Sequence, residues 1–398
     1  MDVRFVWLVL ALIAFVSTLS VTEAVRVAAM HLRAVDHPGG RRLHRSPTAR
    51  LGGLGIFWGF GVALAAATYG HGVWRLPVHP QGMGLVGLLA GCGVLLITGL
   101  LDDVRGMRAT AKLALQIGAA LCLYHFGWRV ERLGIPGIGS WEVGQLSLAL
   151  TVGWVVCVTN ALNLIDGLDG LAGGLALVAA LAASWLLAGS GTPSFLAAGA
   201  LVGALAGFLW FNLNPALIFM GDTGSLFVGF VLAALTMRAG QLVSAEAFPL
   251  VPVLLLAVPL ADTTDAIRRR TLAAAAVARS PLEFLRETKR RVFTPDGMHV
   301  HHRLLRRGFS TRRAVALLWG VGTSFAAAAA LVLRFPVLGL ALAAALAALA
   351  SAGLVALEPR AAATPLAPPV AKGPRVLALP TLARAEVGEP AEATSQAA

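Results

Sequence analysis

Charge is what this 398-residue sequence has least of, since only 13% of its residues are Asp, Glu, Lys or Arg. A soluble domain carries roughly 25% charged residues. Hydrophobic residues make up 57% of the chain, and the mean hydropathy is +0.77. This composition excludes a soluble enzyme, a disordered regulator and a secreted disulfide-rich domain. It predicts a polytopic helical membrane protein.

Cysteine is also scarce, and Cys92, Cys122 and Cys157 all lie inside apolar stretches. No two of them have the spacing of metal ligands, so we interpret them as small buried hydrophobic residues. The apolar stretches also lack the alternation of polar and apolar residues that marks the strands of an outer-membrane barrel. They are continuously apolar over about 17–24 residues, the length that a membrane-spanning helix needs.

These stretches predict an all-α polytopic transmembrane protein with about eleven spans. Their ranges are 3–25, 51–70, 82–101, 111–127, 146–164, 171–189, 194–212, 224–240, 246–262, 314–333 and 335–357. The first is too long for the core of a signal peptide, so we interpret it as an uncleaved helix. Residues 1–357 are then one integral membrane domain. Residues 358–398, rich in Ala, Pro and Glu, form a disordered tail.

Lys and Arg concentrate in alternate loops. With the N-terminus outside and the C-terminus in the cytoplasm, 26 of the 32 Lys and Arg residues are cytoplasmic, as the positive-inside rule requires. The cytoplasmic loops are then 26–50, 101–112, 163–171, 212–224 and 263–313. The net charge of +12 is explained by this orientation and does not indicate a nucleic-acid partner. Nine of the ten Asp residues fall on the same side, which topology alone does not demand.

Two adjacent carboxylates, Asp102 and Asp103, end the third predicted span, and Lys112 follows them. Adjacent carboxylates repel each other unless a cation lies nearby. Neighbouring side chains on a helix point about 100° apart. We therefore expect separate roles, one carboxylate near a metal or Lys112 and the other facing an attacking group. The alternative is a solvated helix end.

A polar stripe ends the fifth predicted span. Asn160, Asn163, Asp166 and Asp169 recur at every third residue, close to one helical face, and two Asp-Gly steps allow tight turns. This combination suits the ribose, base and phosphates of a nucleotide. A purely structural turn does not need two amides and two carboxylates.

The segment from Asn212 to Ser225 includes Gly221-Asp222-Thr223-Gly224 at the start of the eighth predicted span. The two glycines leave room for a metal and a diphosphate beside Asp222. Mg²⁺ is usually held by one or two carboxylates, water and phosphates. The alternative is that Asp222, Thr223 or Ser225 caps the following helix.

A cationic segment, His299-Val-His301-His302-Arg303, lies in the last cytoplasmic loop. Its side chains offer donors and positive charge to phosphates. A zinc site is a rival interpretation, but the histidine spacing does not define a tetrahedral site and no Cys is near. A solvated basic loop is the other. Arg50, in the first cytoplasmic loop, gives a weaker signal of the same kind.

Together these motifs, in this order between residues 36 and 308, resemble the polyprenyl-phosphate N-acetylhexosamine-1-phosphate transferases. The matching patterns are Asp-Asp-x-x-Gly, Asn-x-x-Asp-Gly-x-Asp-Gly, Phe-Met-Gly-Asp-Thr-Gly-Ser and His-x-His-His-Arg-Leu-Leu-x-x-Gly. The resemblance implies a Mg²⁺-dependent enzyme, with Mn²⁺ as an alternative ion, in the bacterial inner membrane with a cytoplasmic active site. It implies transfer of a sugar 1-phosphate from a UDP-N-acetylhexosamine to undecaprenyl phosphate, with release of UMP. A homodimer is a further expectation.

The resemblance also implies roles for individual residues. Asp222 is the expected metal ligand. The expected catalytic residues are Asp102, Asp103, Asp166, His301 and His302. The expected substrate-binding residues are Asn163, Asp169, Asn212, Gly221, Lys112, Arg50, His299 and Arg303.

Within this family, the single Val between His299 and His301, and Thr223 after Asp222, favour the branch that transfers N-acetylglucosamine 1-phosphate. That branch begins envelope glycans such as the O-antigen of lipopolysaccharide or wall teichoic acid. The phospho-MurNAc-pentapeptide transferases of peptidoglycan synthesis, which usually have three consecutive histidines, are the alternative. A transporter is the alternative from another class, but transporter sites lie near the bilayer midplane and these motifs lie at helix ends.

Overall fold

A computed structural model describes residues 2–32, 34–36, 47–70, 83–188, 192–243, 245–292 and 297–357. Within these ranges the protein is almost entirely helical, which confirms the all-α prediction. The first seven helices are α1 (Val3–His31), α2 (Gly53–Tyr69), α3 (Met83–Arg105), α4 (Ala109–His125), α5 (Ser147–Ile165), α6 (Leu171–Leu187) and α7 (Pro193–Asn212). The next seven are α8 (Gly221–Val243), α9 (Leu250–Leu255), α10 (Ala257–Ala275), α11 (Pro281–Val292), α12 (Val300–Arg306), α13 (Thr311–Arg334) and α14 (Pro336–Ala356).

In the described residues, 7 helices are long and apolar enough to cross a membrane, namely α1, α3, α5, α7, α8, α13 and α14. Two shorter apolar helices, α2 and α6, lie among them. The count of eleven spans and the orientation of the termini stay predictions. The predicted tail, 358–398, lies outside the described residues, as do parts of the loops 26–50 and 263–313. Cys92 is buried as expected, whereas Cys157 is exposed on the outside of the bundle, so the expectation was wrong for Cys157.

The stretch 246–262, which was expected to be one span, is divided into α9 and α10 at Leu256. Pro259 explains the break, because it has no N–H to donate to the carbonyl of residue 255 and its ring crowds that carbonyl. The new helix α10 continues well past the apolar stretch, to Ala275. It thereby carries Asp262 and Asp265 to the end of the bundle where the predicted motifs lie.

Helix α8 forms the centre of the bundle, and glycines let its first turn approach its neighbours closely. A Cβ atom on Gly53 of α2 would lie 2.1 Å from the backbone N of Gly224. A Cβ atom on Gly99 of α3 would lie 2.4 Å from the backbone O of Asp222. These positions accept only glycine without a shift of the backbone. The glycines therefore fix the position of the Asp222 turn relative to α2 and α3.

Strands are few and short. Strand β2 (Thr48–Ala49) pairs antiparallel with β1 (Val35–Asp36), and Ala49 also forms a parallel bridge with Ile218. This pairing holds the first predicted loop against the segment that leads into α8. A second hairpin, β3 (Arg132–Ile135) with β4 (Gly139–Glu142), follows α4. It lies at the opposite end of the bundle, since α4 leads away from the Asp102 end of α3.

Candidate active site

Side chains from four helix ends meet in one hydrogen-bonded cluster. Lys112 Nζ donates to Asp222 Oδ2 at 2.5 Å and to Asp102 Oδ2 at 2.9 Å. The same ammonium lies 3.4 Å from Asn163 Oδ1. The structure thus brings together four predicted site residues that are up to 120 positions apart in the chain. We call Asp102, Lys112, Asn163 and Asp222 the lysine cluster.

Asn163 orients the Asp222 carboxylate within this cluster. Its Nδ2 donates to Asp222 Oδ1 at 2.9 Å and to Ser225 Oγ at 2.8 Å. The Asp222 side chain keeps 31% of its surface exposed, whereas those of Asp102 and Lys112 keep 16% and 14%. Asp222 is therefore held firmly and still open to a ligand from outside.

Asp103 points in a different direction from Asp102 and caps helix α8. Its Oδ1 accepts from the backbone N of Asp222 at 3.0 Å. Its Oδ2 accepts from the backbone N and the hydroxyl of Thr223, at 2.9 and 2.7 Å. The sequence left open that Asp222, Thr223 or Ser225 caps α8. In the structure the cap is instead Asp103, which belongs to α3.

The divergence of Asp102 and Asp103 follows from their helix. Both belong to α3, so their side chains point about 100° apart, as expected from the sequence. Asp102 lies next to Lys112, which agrees with one of the two expected environments. Asp103 has both oxygens occupied by donors from α8. Its expected position facing an attacking group is not seen in this arrangement.

The polar stripe that begins at Asn160 does not lie on one helical face, because α5 ends at Ile165 and the chain turns. Asn160 pairs with Gln116 of α4, its Nδ2 donating to Gln116 Oε1 at 2.6 Å. Asp169 lies after the turn, where its Oδ2 accepts from Asn214 Nδ2 at 2.8 Å and from the Ala216 amide at 3.1 Å. The expected common face was therefore wrong, because α5 ends before Asp166 and Gly170, with φ +77°, turns the chain into α6.

Asp166 is the carboxylate of this stripe that keeps its oxygens available. Its carboxylate accepts no hydrogen bond from the described residues. Burial, together with the negative charges of Asp222, Asp103 and Asp169, raises the pKa of Asp166 to about 8. Five carboxylates, including Asp102, thus crowd one region that holds a single lysine among the described residues, so an added cation there is electrostatically favoured.

Asn212 and Gly221 shape the loops around this region. Asn212 Oδ1 accepts from the Gly170 amide at 3.0 Å, and its Nδ2 donates to the Ile218 carbonyl at 2.9 Å. Gly221 has φ +70°, and a Cβ atom there would lie 2.6 Å from Asp103 Oδ2. In this structure both residues position the backbone around the lysine cluster.

The imidazole of His301 packs against the Asp166-Gly167 turn. A Cβ atom on Gly167 would lie 2.3 Å from His301 Nε2. His301 is 1% exposed, and neither ring nitrogen has a hydrogen-bond partner in the described part of the chain. Burial, with the neighbouring His302, lowers the pKa of His301 to about 3, so the ring is neutral. Two unpartnered ring nitrogens beside a carboxylate-rich region are unusual in a packed core and suit a ligand that supplies the partner.

Two aspartates of α10 hold the histidine segment, and we call α12 with its N-cap His299 the histidine helix. Asp262 Oδ2 lies 2.7 Å from His299 Nδ1, and its Oδ1 accepts from the Val300 amide at 2.7 Å. Asp265 pairs with Arg303 at the other end of the same helix. Neither Asp262 nor Asp265 was predicted as a site residue from the sequence motifs. Their i, i+3 spacing at the end of an apolar stretch could have identified them.

Arg303 and Arg50 make internal contacts. Arg303 is 2% exposed and also donates from Nε to the Met298 carbonyl at 2.7 Å. Burial favours the neutral form of Asp265 and would raise its pKa. Hydrogen bonds from Arg268 and Arg303 outweigh burial and hold the pKa of Asp265 below its usual range. Arg50 pairs with Asp36. In this structure both arginines bind groups of the protein itself. Their contacts with substrate stay predictions.

Comparison with known proteins places these motifs in a family. Residues 85–240 match the model of glycosyl transferase family 4, a range that includes the lysine cluster. A decaprenyl-phosphate N-acetylglucosaminephosphotransferase from Mycolicibacterium smegmatis is 38% identical over 77% of this chain and 77% of its own length.

Two further relatives have names of the same kind. The protein of Bacillus subtilis named "Probable undecaprenyl-phosphate N-acetylglucosaminyl 1-phosphate transferase" is 33% identical over 83% of this chain and 86% of its own length. The undecaprenyl-phosphate alpha-N-acetylglucosaminyl 1-phosphate transferase of Escherichia coli K12 is 29% identical over 74% of this chain and 75% of its own length. The resemblance seen in the motifs is confirmed along most of the sequence, and this chain belongs to glycosyl transferase family 4.

Proposed function

We propose that this protein transfers N-acetylglucosamine 1-phosphate from a UDP-sugar to undecaprenyl phosphate and releases UMP. The names of the relatives, which pair a polyprenyl phosphate with an N-acetylglucosamine phosphate, support this reaction. The observation that carries it is the lysine cluster, with the unpartnered His301 at the adjoining turn. Such a site offers carboxylates for a cation and neutral donors for phosphate.

The chemistry is the formation of one P–O bond and the cleavage of another. An oxygen of the lipid phosphate attacks the β-phosphorus of the UDP-sugar. The bond from that phosphorus to the bridging oxygen breaks, and UMP leaves with the electron pair. A phosphate monoester has a second pKa of about 6, so the attacking oxygen is largely ionised near pH 7. The main task of the protein is therefore to bring two anions together.

A magnesium ion fits the residues present, although the described residues contain no group of three or more His, Cys, Asp or Glu in metal-binding proximity. Mg²⁺ commonly takes only one or two carboxylates and completes its shell with water and phosphates. Asp222 is partly exposed, and no described residue donates a hydrogen bond to Asp166, so these two would hold it. When bound, the ion would neutralise diphosphate charge and stabilise the leaving UMP, and Mn²⁺ would serve similarly.

The side chains of the protein have distinct proposed tasks. Lys112 and Asn163 hold the carboxylates of Asp102 and Asp222 in place, so that Asp222 can bind the cation. His301 supplies a ring N–H to a phosphate oxygen, and His302 and His299 extend that surface. Asp169 and Asn212 hold the loops against which the nucleotide lies. The active site faces the cytoplasm, as the distribution of Lys and Arg predicts.

The test is a transfer assay with purified protein, undecaprenyl phosphate, Mg²⁺ and a panel of UDP-sugars that includes UDP-MurNAc-pentapeptide. We expect UMP and a lipid-linked sugar diphosphate with UDP-N-acetylglucosamine. Asp222→Asn should abolish transfer while the protein stays folded, because the amide keeps the shape of the side chain but loses the charge that Mg²⁺ needs. Glu142→Gln, in the hairpin at the other end of the bundle, is the matched control and should retain full activity. UDP-sugar uptake by proteoliposomes without UMP release would overturn the proposal in favour of a transporter.

A further inference from the structure

A charged residue lies in helix α8 at the end of the bundle opposite the lysine cluster. Residues 223–240 of α8 are all buried except Arg238. Arg238 is 16 residues beyond Asp222, about 24 Å further along the helix axis. A charge within an apolar spanning helix is costly, so it needs a partner or a polar cavity.

Arg238 lines a cavity of about 240 Å³ between α3, α7 and α8. Most of its wall is apolar, formed by residues such as Leu85, Leu88 and Phe126. Ser194 and Thr192 add hydroxyl groups at one side. Trp128 is also in the wall, but its indole N–H already donates to the Gly84 carbonyl at 2.7 Å.

No carboxylate of the described chain pairs with Arg238. The ion pairs found elsewhere involve other cations, including those at Lys112, Arg303 and Arg132. The guanidinium is permanently charged and offers five N–H donors in a planar fork that matches a phosphate. Arg238 is half-buried and faces a cavity with apolar walls. A ligand that fits this cavity would carry an anionic group for the guanidinium and an apolar chain for the walls.

We propose that this cavity binds the phosphate group of an anionic phospholipid, with its acyl chain against the apolar wall. A guanidinium can hold a phosphate group through two parallel, charge-assisted N–H bonds. The proposal does not depend on the transferase reaction, because the cavity is far from the lysine cluster. It assigns to Arg238 a lipid site on the face of the bundle where α3 and α7 begin and α4 and α8 end.

Native mass spectrometry of the purified protein with phosphatidylglycerol tests this site. We expect wild type to retain phosphatidylglycerol and Arg238→Gln to retain it about tenfold less, whereas Arg238→Lys retains an intermediate amount. The matched control is Arg334→Gln, which removes an arginine near the end of α13 that contacts Phe335 and lines no part of this cavity. It should bind lipid as wild type does. Equal transferase activity of all variants would show that each is folded.

Two results would overturn the proposal. Equal retention of phosphatidylglycerol by wild type and Arg238→Gln would mean that the cavity does not select the lipid. Displacement of the lipid by millimolar inorganic phosphate, or equal retention of an uncharged diacylglycerol, would mean that the phosphate and the acyl chain are not recognised together. Lipid retention that falls about tenfold in Arg238→Gln, is intermediate in Arg238→Lys and is unchanged in Arg334→Gln supports it.

Discussion

Asp102 and Asp103 are identical neighbours whose surroundings differ completely. Asp102 binds Lys112 and, through Oδ1, the Met107 amide at 2.6 Å. In the described part of the chain, Asp103 binds donors of the first turn of α8 and no others. At the scale of the residue, one carboxylate belongs to the charged site and the other holds the helix that presents Asp222. Their substitutions should therefore differ in kind.

Asp102→Asn should leave thermal stability near that of wild type and lower transfer activity. High Mg²⁺ should partly restore that activity, because weaker ion binding is overcome by mass action. Asp103→Asn should lower the free energy of unfolding by about 1 kcal/mol, as the loss of a helix cap does. Its activity should not recover at saturating Mg²⁺, because Asp222 itself is displaced. Thermal unfolding in detergent and Mg²⁺ titration of the rate measure both effects. Identical melting temperatures and Mg²⁺ responses would show instead that the pair acts as one unit.

The histidine helix is the element whose position depends most on side chains from elsewhere. Helix α12 has only 7 residues, too few to be stable alone. Asp262 binds its N-terminal end and Asp265 binds Arg303 near its C-terminal end, so α10 serves as its support. The position of His301 at the Asp166-Gly167 turn thus depends on two residues that were not among the predicted site residues.

Asp262→Asn should lower kcat/KM for the UDP-sugar about 10- to 100-fold, because small displacements of positioning groups have effects of this size. The loss should lie mainly in KM if the histidine helix binds phosphate in the ground state. Asp262→Glu should restore part of it, since a carboxylate is kept. The matched control is Glu287→Gln on the neighbouring helix α11, whose exposed pair with Arg290 should contribute little. Wild-type kinetics for Asp262→Asn would contradict the supporting role.

Close helix packing at the first turn of α8 gives a second prediction at this scale. Gly99→Ala places a methyl group 2.4 Å from both the Asp222 carbonyl oxygen and the Thr223 Cα. Overpacking of this kind costs about 1–3 kcal/mol and should shift Asp222. Gly93→Ala is the control on the same helix, because nothing lies within 4 Å of its Cβ position. We expect a lower melting temperature and lower activity for the first variant alone. A Gly99→Ala protein as stable and active as Gly93→Ala would exclude the packing argument.

The whole molecule has two distinct ends. The lysine cluster and the histidine helix lie at one end, and the β3–β4 hairpin lies at the other. Helices of the length of α3, with 23 residues, can span the apolar thickness between them. The distribution of Lys and Arg predicts that the first end is cytoplasmic.

Cysteine labelling tests this orientation in intact cells of a variant without native cysteines. Ile138→Cys, at the exposed tip of the hairpin, should react with an impermeant maleimide from outside. Arg105→Cys, at the exposed end of α3 beside Asp102, should react only after the membrane is permeabilised. Both variants should react in a denatured control, which shows that each protein is present and that each thiol is reactive. Labelling of Arg105→Cys in intact cells would reverse the predicted orientation.

Several features of this protein were predictable because they depend on local or compositional rules. Long apolar stretches predicted helices, and the motifs with Asp102, Asn163, Asp222 and His301 predicted a family, because their spacing is specific. The division of residues 246–262 was not predicted, although Pro259 could have indicated it. The hairpin at residues 132–142 was missed, since its two short strands lie between helices and carry no extended pattern.

The sequence by itself determined the apolar spans, the order of the polar motifs and their grouping at helix ends, since each depends on residues close together in the chain. Only the tertiary structure decided which carboxylate meets Lys112, that Asp103 caps a helix 119 residues away, and that Asp262 supports the histidine helix. Those choices depend on the rotation and closeness of packed helices. Glycine contacts such as Gly53 with Gly224 set that packing, and no local pattern in the chain encodes which helices will meet.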